Sequence, residues 1–293
     1  MARFRTLVPA LTLAFTLGCS ASSTRHAIDS PLAAPDVEVF LTSSSGDRMR
    51  RVELPEARAT PSVTVTVDRS RKRQKFLGVG GSLTQASAAA LNSLSPEKRR
   101  QVLDAYFGPD GAHYGLSRTH IASSDFSEYS YTYSPQAGLF SIEEDHRNGL
   151  LDLIKDARAV TGARFELMAS PWTAPPWMKD NQAFYDPENR RGGTLLEAHH
   201  EDFAQYLVDY IRTYGAEGIP IWAISPVNEP QGNAGSWESM DMSPSQQREV
   251  VKAIGKAFET AKLDTQIFIF DQNRAEMAPY TEAVFSDPES SAY

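Results

Sequence analysis

Cysteine is almost missing: Cys19 is the only one in 293 residues, so no intrachain disulfide can form and packing must hold the fold. An excess of positive charge is lacking as well. Lys and Arg number 29 against 37 Asp and Glu, a formal net charge of -8, and that balance disfavours nucleic acid as a partner. The short run Arg69, Arg71, Lys72, Arg73 and Lys75 reads as a solvated turn rather than a polyanion patch. No glycine-rich dinucleotide fingerprint is present, because Gly78, Gly80 and Gly81 have the wrong spacing, and Thr84 and Gln85 are not phosphate ligands by pattern. His199, His200, Glu201 and Asp202 cluster at a helix start without the helical spacing of two histidines around a glutamate, so no metal is expected there. Ser170 lacks a nucleophile-elbow context, which disfavours a serine hydrolase. No cofactor is called for by any of these patterns.

What is present begins with an export signal. Arg3 and Arg5 precede an apolar stretch from Leu7 to Leu17, too short for a stop-transfer helix. Leu17 and Gly18 before Cys19 resemble the cleavage box of bacterial lipoproteins, although Thr16 stands where leucine is usual; lipidation of Cys19 is expected, with ordinary cleavage near Ala21 as the alternative. The chain is therefore expected to be exported, as a cell-surface lipoprotein or a secreted protein. Residues 20–35, rich in Ser, Ala and Pro, read as a tether, and residues 36–75 as a small β segment. In the latter, Val37 to Leu41 is a strand candidate, and Val63, Val65 and Val67 alternate with Ser62, Thr64 and Thr66 in the period of half-buried strands.

From Phe76 to Tyr293 strands and helices alternate, with strands expected to begin near Gly78, Leu116, Phe165, Ile221 and Gln266. Ser95 and Pro96 open a helix that carries Val102, Leu103, Tyr106 and Phe107 and stops at Gly108. A second helix runs through Leu150, Leu151, Ile154, Ala157 and Val160. A third places Phe203, Tyr206, Leu207, Tyr210, Ile211 and Tyr214 on one face and is expected to stop at Gly215. A fourth opens with Ser243, Pro244 and Gln246, a capping-box pattern, and turns Val250, Val251, Ile254, Phe258 and Ala261 inward. Such alternation implies parallel strands, either a closed barrel or an open doubly wound sheet, and periodicity does not choose between them.

The apolar stretch Ile221-Trp222-Ala223-Ile224-Ser225-Pro226-Val227 ends abruptly in Asn228-Glu229-Pro230, a position from which a carboxyl projects into the mouth of a parallel barrel. Further motifs come in one order along the chain: Gly78 to Thr84 (GVGGSLT), Ser117 to Ser127 (SRTHIASSDFS), Ala169 to Lys179 (ASPWTAPPWMK), then Asn-Glu-Pro, then Phe270 to Arg274 (FDQNR). In this ordered set the stretch from about Phe76 to Tyr293 resembles glycoside hydrolase family 30, in particular its glucosylceramidase branch. The resemblance implies a (β/α)8 TIM barrel, of which about five βα units are expected here, and a retaining β-glycosidase with Glu229 as acid/base at the end of the fourth barrel strand. It further implies that Asn228 meets the sugar's 2-hydroxyl, that Asp125 and Trp172 bind other hydroxyls, and that Arg118 supports them from behind. Gln272, in the last motif, and Trp237, in the polar loop past Glu229, are added as substrate-binding candidates. Trp177 and Trp222 are expected to be structural. Tyr129, Tyr131 and Tyr133 either line the leaving-group side or pack on one another.

The nucleophile, which the resemblance places at the end of a seventh strand, is expected outside these residues; closing eight strands would take on the order of 140 more. Gln85 stands where many relatives carry a carboxylate and Val79 where phenylalanine is common, which bears on substrate preference. The expected substrates are β-linked glucosides such as glucosylceramide. An endo-β-1,6-glucanase of the same family and a non-catalytic glycan-binding surface protein are the alternatives.

Overall fold

The computed structural model describes residues 38–53, 65–68, 70–232 and 235–293, in two compact units divided between Lys72 and Arg73. Cys19, the 1–19 signal and the 20–35 tether lie outside the described residues. In the first unit β1 (Val39–Leu41) pairs antiparallel with β2 (Arg50–Val52), Val39 opposite Val52. The strand expected around Val63 to Val67 is corrected in its described part: Val65 and Val67 are each 80% exposed and belong to no strand. Alternation marks a surface that a partner strand could cover, and no described residue pairs with these two. Arg71, Lys72, Arg73 and Lys75 are exposed, as a solvated turn requires.

The second unit runs β3 (Ser82–Leu83), α1 (Gln85–Asn92), α2 (Pro96–Phe107), β4 (Leu116–Ile121), α3 (Glu143–Arg147), α4 (Leu150–Ala159), β5 (Glu166–Pro171), α5 (His200–Ala216), β6 (Ala223–Ile224), α6 (Pro244–Ala261), β7 (Gln266–Ile267) and α7 (Met277–Phe285). β3 to β7 form one sheet in sequence order, every pairing parallel. That order answers what periodicity left open. A doubly wound sheet reverses its strand order at a switch point, whereas a barrel adds each strand beside the last.

The helices form where side chains can cap and bury them. Ser95 accepts the Lys98 N–H at the start of α2 with Pro96 in the first turn, and Gly108 ends it as expected. Ser243 caps α6 through the Gln246 N–H, but the Gln246 side chain donates to the Leu195 carbonyl instead of reaching back, so the box is not reciprocal. α5 runs through Gly215 to Ala216, which corrects the expected stop. Gly218, at φ +79°, makes the left-handed turn that Gly215 was expected to make. Leu150, Leu151, Ile154 and Ala157 of α4 and Phe203, Leu207, Tyr210 and Tyr214 of α5 are buried, so these faces build the outer core against the sheet. Among the described residues no helix is long and apolar enough to cross a membrane.

Gly80 is required by close approach. A Cβ there would lie 1.2 Å from the carbonyl oxygen of Leu116 at the start of β4. Gly80→Ala is expected to prise β3 from β4 and cost about 3 kcal/mol, comparable to other overpacked sites. A fall in Tm on the order of 8 °C in thermal unfolding of the full-length protein is the expected result, and an unchanged Tm would contradict the close approach.

Candidate active site

The carboxyl-terminal ends of β4 to β7 bring Arg118, Asn228, Trp172 and Asp125 together. Arg118 sits on β4 in register with Met168 of β5, which pairs with Ala223 of β6; Ser170 and Ser225 lie two residues further along, hence on the same face. The Arg118 guanidinium donates from Nη2 to Asp271 Oδ2 at 2.5 Å and to Asn228 Oδ1 at 2.8 Å, and from Nε to Ser170 Oγ at 3.3 Å. It also lies 4.8 Å from the centre of the Trp172 ring, a cation–π contact. Ser170 donates to Asp271 Oδ2 at 2.6 Å, and Ser225 Oγ lies 2.8 Å from both that oxygen and Ser170 Oγ.

Asn228 and Glu229 are fixed at the same rim by their backbones. The Asn228 N–H donates to the Pro171 carbonyl at 2.7 Å and the Glu229 N–H to the Asp271 carbonyl at 2.9 Å, which carries the pairing of β5, β6 and β7 past the regular strands. Both side chains are half-buried. Glu229 holds φ +49°, a left-handed conformation uncommon outside glycine.

Asp125 is in the turn after β4, where the Ser127 N–H bonds back to the Ser124 carbonyl, rather than at a helix cap. Partial burial raises its carboxyl above the usual range, a hydrogen bond from the Trp172 side chain lowers it, and the charge of Glu238 raises it further. Trp172 is buried, its indole N–H committed to Asp125 and one ring face covered by Arg118, so it serves as a wall that orients Asp125. Trp237 is 37% exposed in the loop after β6. Gln272 uses both polar atoms on Gln231: its Nε2 donates to Gln231 Oε1 at 3.1 Å and its Oε1 accepts the Gln231 N–H at 3.2 Å. It straps the β6 and β7 loops together.

Several contributors carry no obvious mark in the sequence. His120 is buried, with Nδ1–H donating to the Ala122 carbonyl at 2.6 Å and Nε2 accepting the Gln85 N–H at 3.1 Å, which fixes the tautomer and ties β4 to α1. Burial lowers its basicity, so it is a neutral brace. Asp145 is buried and accepts from the hydroxyls of Tyr131 at 2.8 Å, Tyr133 at 2.5 Å and Tyr214. Burial raises its carboxyl, against the hydrogen bonds from these donors. Tyr131 and Tyr133 thus pack inward, while Tyr129 is exposed and bonds Glu144. His199 contacts Asp202 at 2.7 Å within the α5 start, and no group of three or more His, Cys, Asp or Glu among the described residues is arranged to hold a metal. A cavity of about 690 Å³ lined by Leu77, Leu116, Phe165, Glu166 and Trp222 lies at the opposite, amino-terminal end of the strands. In a parallel barrel that end is remote from the chemistry.

The profile of the glycosyl hydrolase family 30 TIM-barrel domain matches residues 76–293. The chain belongs to this family. Among curated proteins it is 29% identical to lysosomal acid glucosylceramidase of Mus musculus over 279 residues, 90% of this chain and 54% of the relative. It is 28% identical to the endo-1,6-beta-D-glucanase of Neurospora crassa over 286 residues, 95% and 58% of the two chains. The chain thus spans a little over half the length of these family 30 relatives. Among solved structures, the endo-beta1,6-glucanase BT3312 superposes with a TM-score of 0.74 at 29% identity, over 87% of this chain and 58% of that one. SrfJ from Salmonella typhimurium gives 0.73 at 28%, over 82% and 54%.

In the loop after β5, Lys179 is fully buried, and its Nζ donates to Thr173 Oγ1 at 2.6 Å and to the carbonyls of Ala183 at 2.8 Å, Phe184 at 3.2 Å and Ser239 at 2.9 Å. Burial pulls it down to about 7, against the nearby Asp180 and Asp241. The ammonium therefore clamps the loop after β5 to the loop after β6 that carries Trp237 and Glu238. Lys179→Met leaves these oxygens without a donor and is expected to cost about 3 kcal/mol. In the full-length protein this should appear as a lower Tm together with new protease cleavage between residues 235 and 241. Intact loops and an unaltered Tm would rule the clamp out.

Proposed function

We propose that these residues form the acid/base half of a retaining glycosidase site for β-linked glucose, with Glu229 as the proton donor to the leaving oxygen. One observation carries the proposal: the Asn228–Glu229 backbone is bonded to strands on both sides at the carboxyl-terminal rim, beside the Asp125–Trp172 pair and the Arg118 network. A carboxyl so held has a fixed relation to whatever the rim binds, which general acid catalysis needs. Asn228 gives its oxygen to Arg118, so its NH2 is the group left to donate toward a sugar, in this proposal to the 2-hydroxyl. Asp125, with one hydrogen bond from Trp172, has further lone pairs for other sugar hydroxyls. Trp237 would flank the leaving group.

Retention also requires a second carboxylate about 5 to 5.5 Å from the first. Asp271 is engaged by Arg118, Ser170 and Ser225, and Asp125 by Trp172, so neither is assigned as nucleophile. The names of the relatives, glucosylceramidase and endo-1,6-beta-D-glucanase, share β-linked glucose as the sugar. That support extends to the sugar more than to its partner across the bond. Export, with lipid attached at Cys19, is proposed on the sequence alone.

In the full-length protein Glu229→Gln is expected to lower kcat/KM about 1,000-fold on an alkyl β-glucoside, whose leaving group needs a proton. On a dinitrophenyl β-glucoside, which needs none, kcat/KM should fall less than about tenfold. Equal losses on both would remove Glu229 from the proton-donor role.

A further inference from the structure

We infer that Asp271 is a positioning residue: through Arg118 it sets which end of the Asn228 carboxamide faces the sugar. The inference rests on the proposed role of Asn228. Asp271 lies just past β7, and three side chains from β4, β5 and the end of β6 converge on its Oδ2: Arg118 Nη2 at 2.5 Å, Ser170 Oγ at 2.6 Å and Ser225 Oγ at 2.8 Å. The same Nη2 donates to Asn228 Oδ1 at 2.8 Å. An Nη carries two hydrogens, so this nitrogen is satisfied when one points to Asp271 and the other to Asn228. Asn228 is then locked with oxygen inward and NH2 outward.

A carboxamide has nearly the same shape with its ends exchanged, and only its partners decide the orientation. Removing the negative charge of Asp271 releases the guanidinium, which is half-buried and, among the described residues, has no other carboxylate as a hydrogen-bond partner. Arg118 can then turn away, Asn228 can present its oxygen, and the donor to the sugar hydroxyl is lost. The Asp271 side chain is separable from the Glu229 anchor, because Glu229 is held by the main-chain carbonyl of residue 271. A side-chain substitution should therefore spare proton donation and alter recognition of one hydroxyl.

The test compares full-length wild type, Asp271→Asn and Asn228→Ala on an aryl β-glucoside and its 2-deoxy analogue. Asp271→Asn is expected to lower kcat/KM on the glucoside about 100-fold, the scale of one lost transition-state donor, and on the 2-deoxy sugar less than about fivefold. Its preference for the glucoside should collapse to the level of Asn228→Ala. If Asn228→Ala collapses the preference and a folded Asp271→Asn keeps it, the inference is overturned while the proposed role of Asn228 stands. If Asn228→Ala itself keeps the preference, that role fails and the inference falls with it. Should Asp271→Asn not fold, Ser225→Ala removes one hydroxyl from the same oxygen and should weaken the preference in the same direction; an unchanged preference there counts equally against the inference.

Discussion

A guanidinium half-buried at the rim of a parallel barrel needs an acid beside it, and the rim around Arg118 is organised by that requirement. The network joins four successive segments: Arg118 on β4, Ser170 on β5, Ser225 and Asn228 past β6, and Asp271 past β7, with Ser225 tied in through Asp271 and Ser170. None of these contacts is local in sequence. The nearest spans 46 residues and the farthest 153, so the network forms only once the strands are in register. A buried ion pair contributes little net stability when compared with apolar packing, but breaking it leaves an uncompensated charge, at a cost that reaches about 3 to 5 kcal/mol for full burial and less for this pair, whose side chains are 27% and 20% exposed. That asymmetry selects one register for these strands. It is a specificity device that also delivers an asparagine and a glutamate to the rim.

Much of this fold could be read from local signals. Ser95 with Pro96 and Ser243 with Pro244 marked helix starts, because capping is a contact between near neighbours. The apolar face of α5 declared itself because one side of a helix recurs every three to four residues. Gly215 misled because glycine is a frequent but not obligatory stop; the helix ran on to Ala216, and Gly218 makes the left-handed turn beyond it. The Val63 to Val67 stripe misled in its described part for a different reason. Alternation describes a side-chain pattern, while a strand also needs a partner for its backbone.

The candidate site was legible where a motif coincides with a strand end, as at Asn228 and Glu229, and where a side chain has one evident chemistry, as at Asp125. Lys179 and Asp145 could not have been placed by pattern, since a buried charge is defined by partners far away in the chain. The acceptors of Lys179 include Ser239, 60 residues on, and Tyr214 reaches Asp145 across 69. Ser170 was visible only as a failed nucleophile. Its use here is to hold Asp271, which ordinary serines do whenever a buried carboxylate needs a donor. An arginine in a strand with no acidic residue of its own was the one available signal, because it demands an acid from a neighbouring strand.

Three residues at this end of the sheet adopt left-handed backbone: Ala122 after β4, Glu229 after β6 and Phe270 after β7, at φ +60°, +49° and +54°. Each costs roughly 1 to 3 kcal/mol and persists only where the surroundings over-determine it. Here they do. The Ala122 carbonyl accepts from buried His120, Glu229 is pinned through the Asp271 carbonyl, and the Phe270 N–H donates to buried Gln247 while its ring packs on Tyr280. A strand continued with regular dihedrals would send alternate side chains to opposite faces. One left-handed residue breaks that alternation and re-aims the side chains after it, which lets Asp125, Glu229 and Asp271 occupy one rim although their strands differ in length. The strain is thus a geometric consequence of gathering three carboxylates at one end, and the buried polar partners are what make that gathering stable.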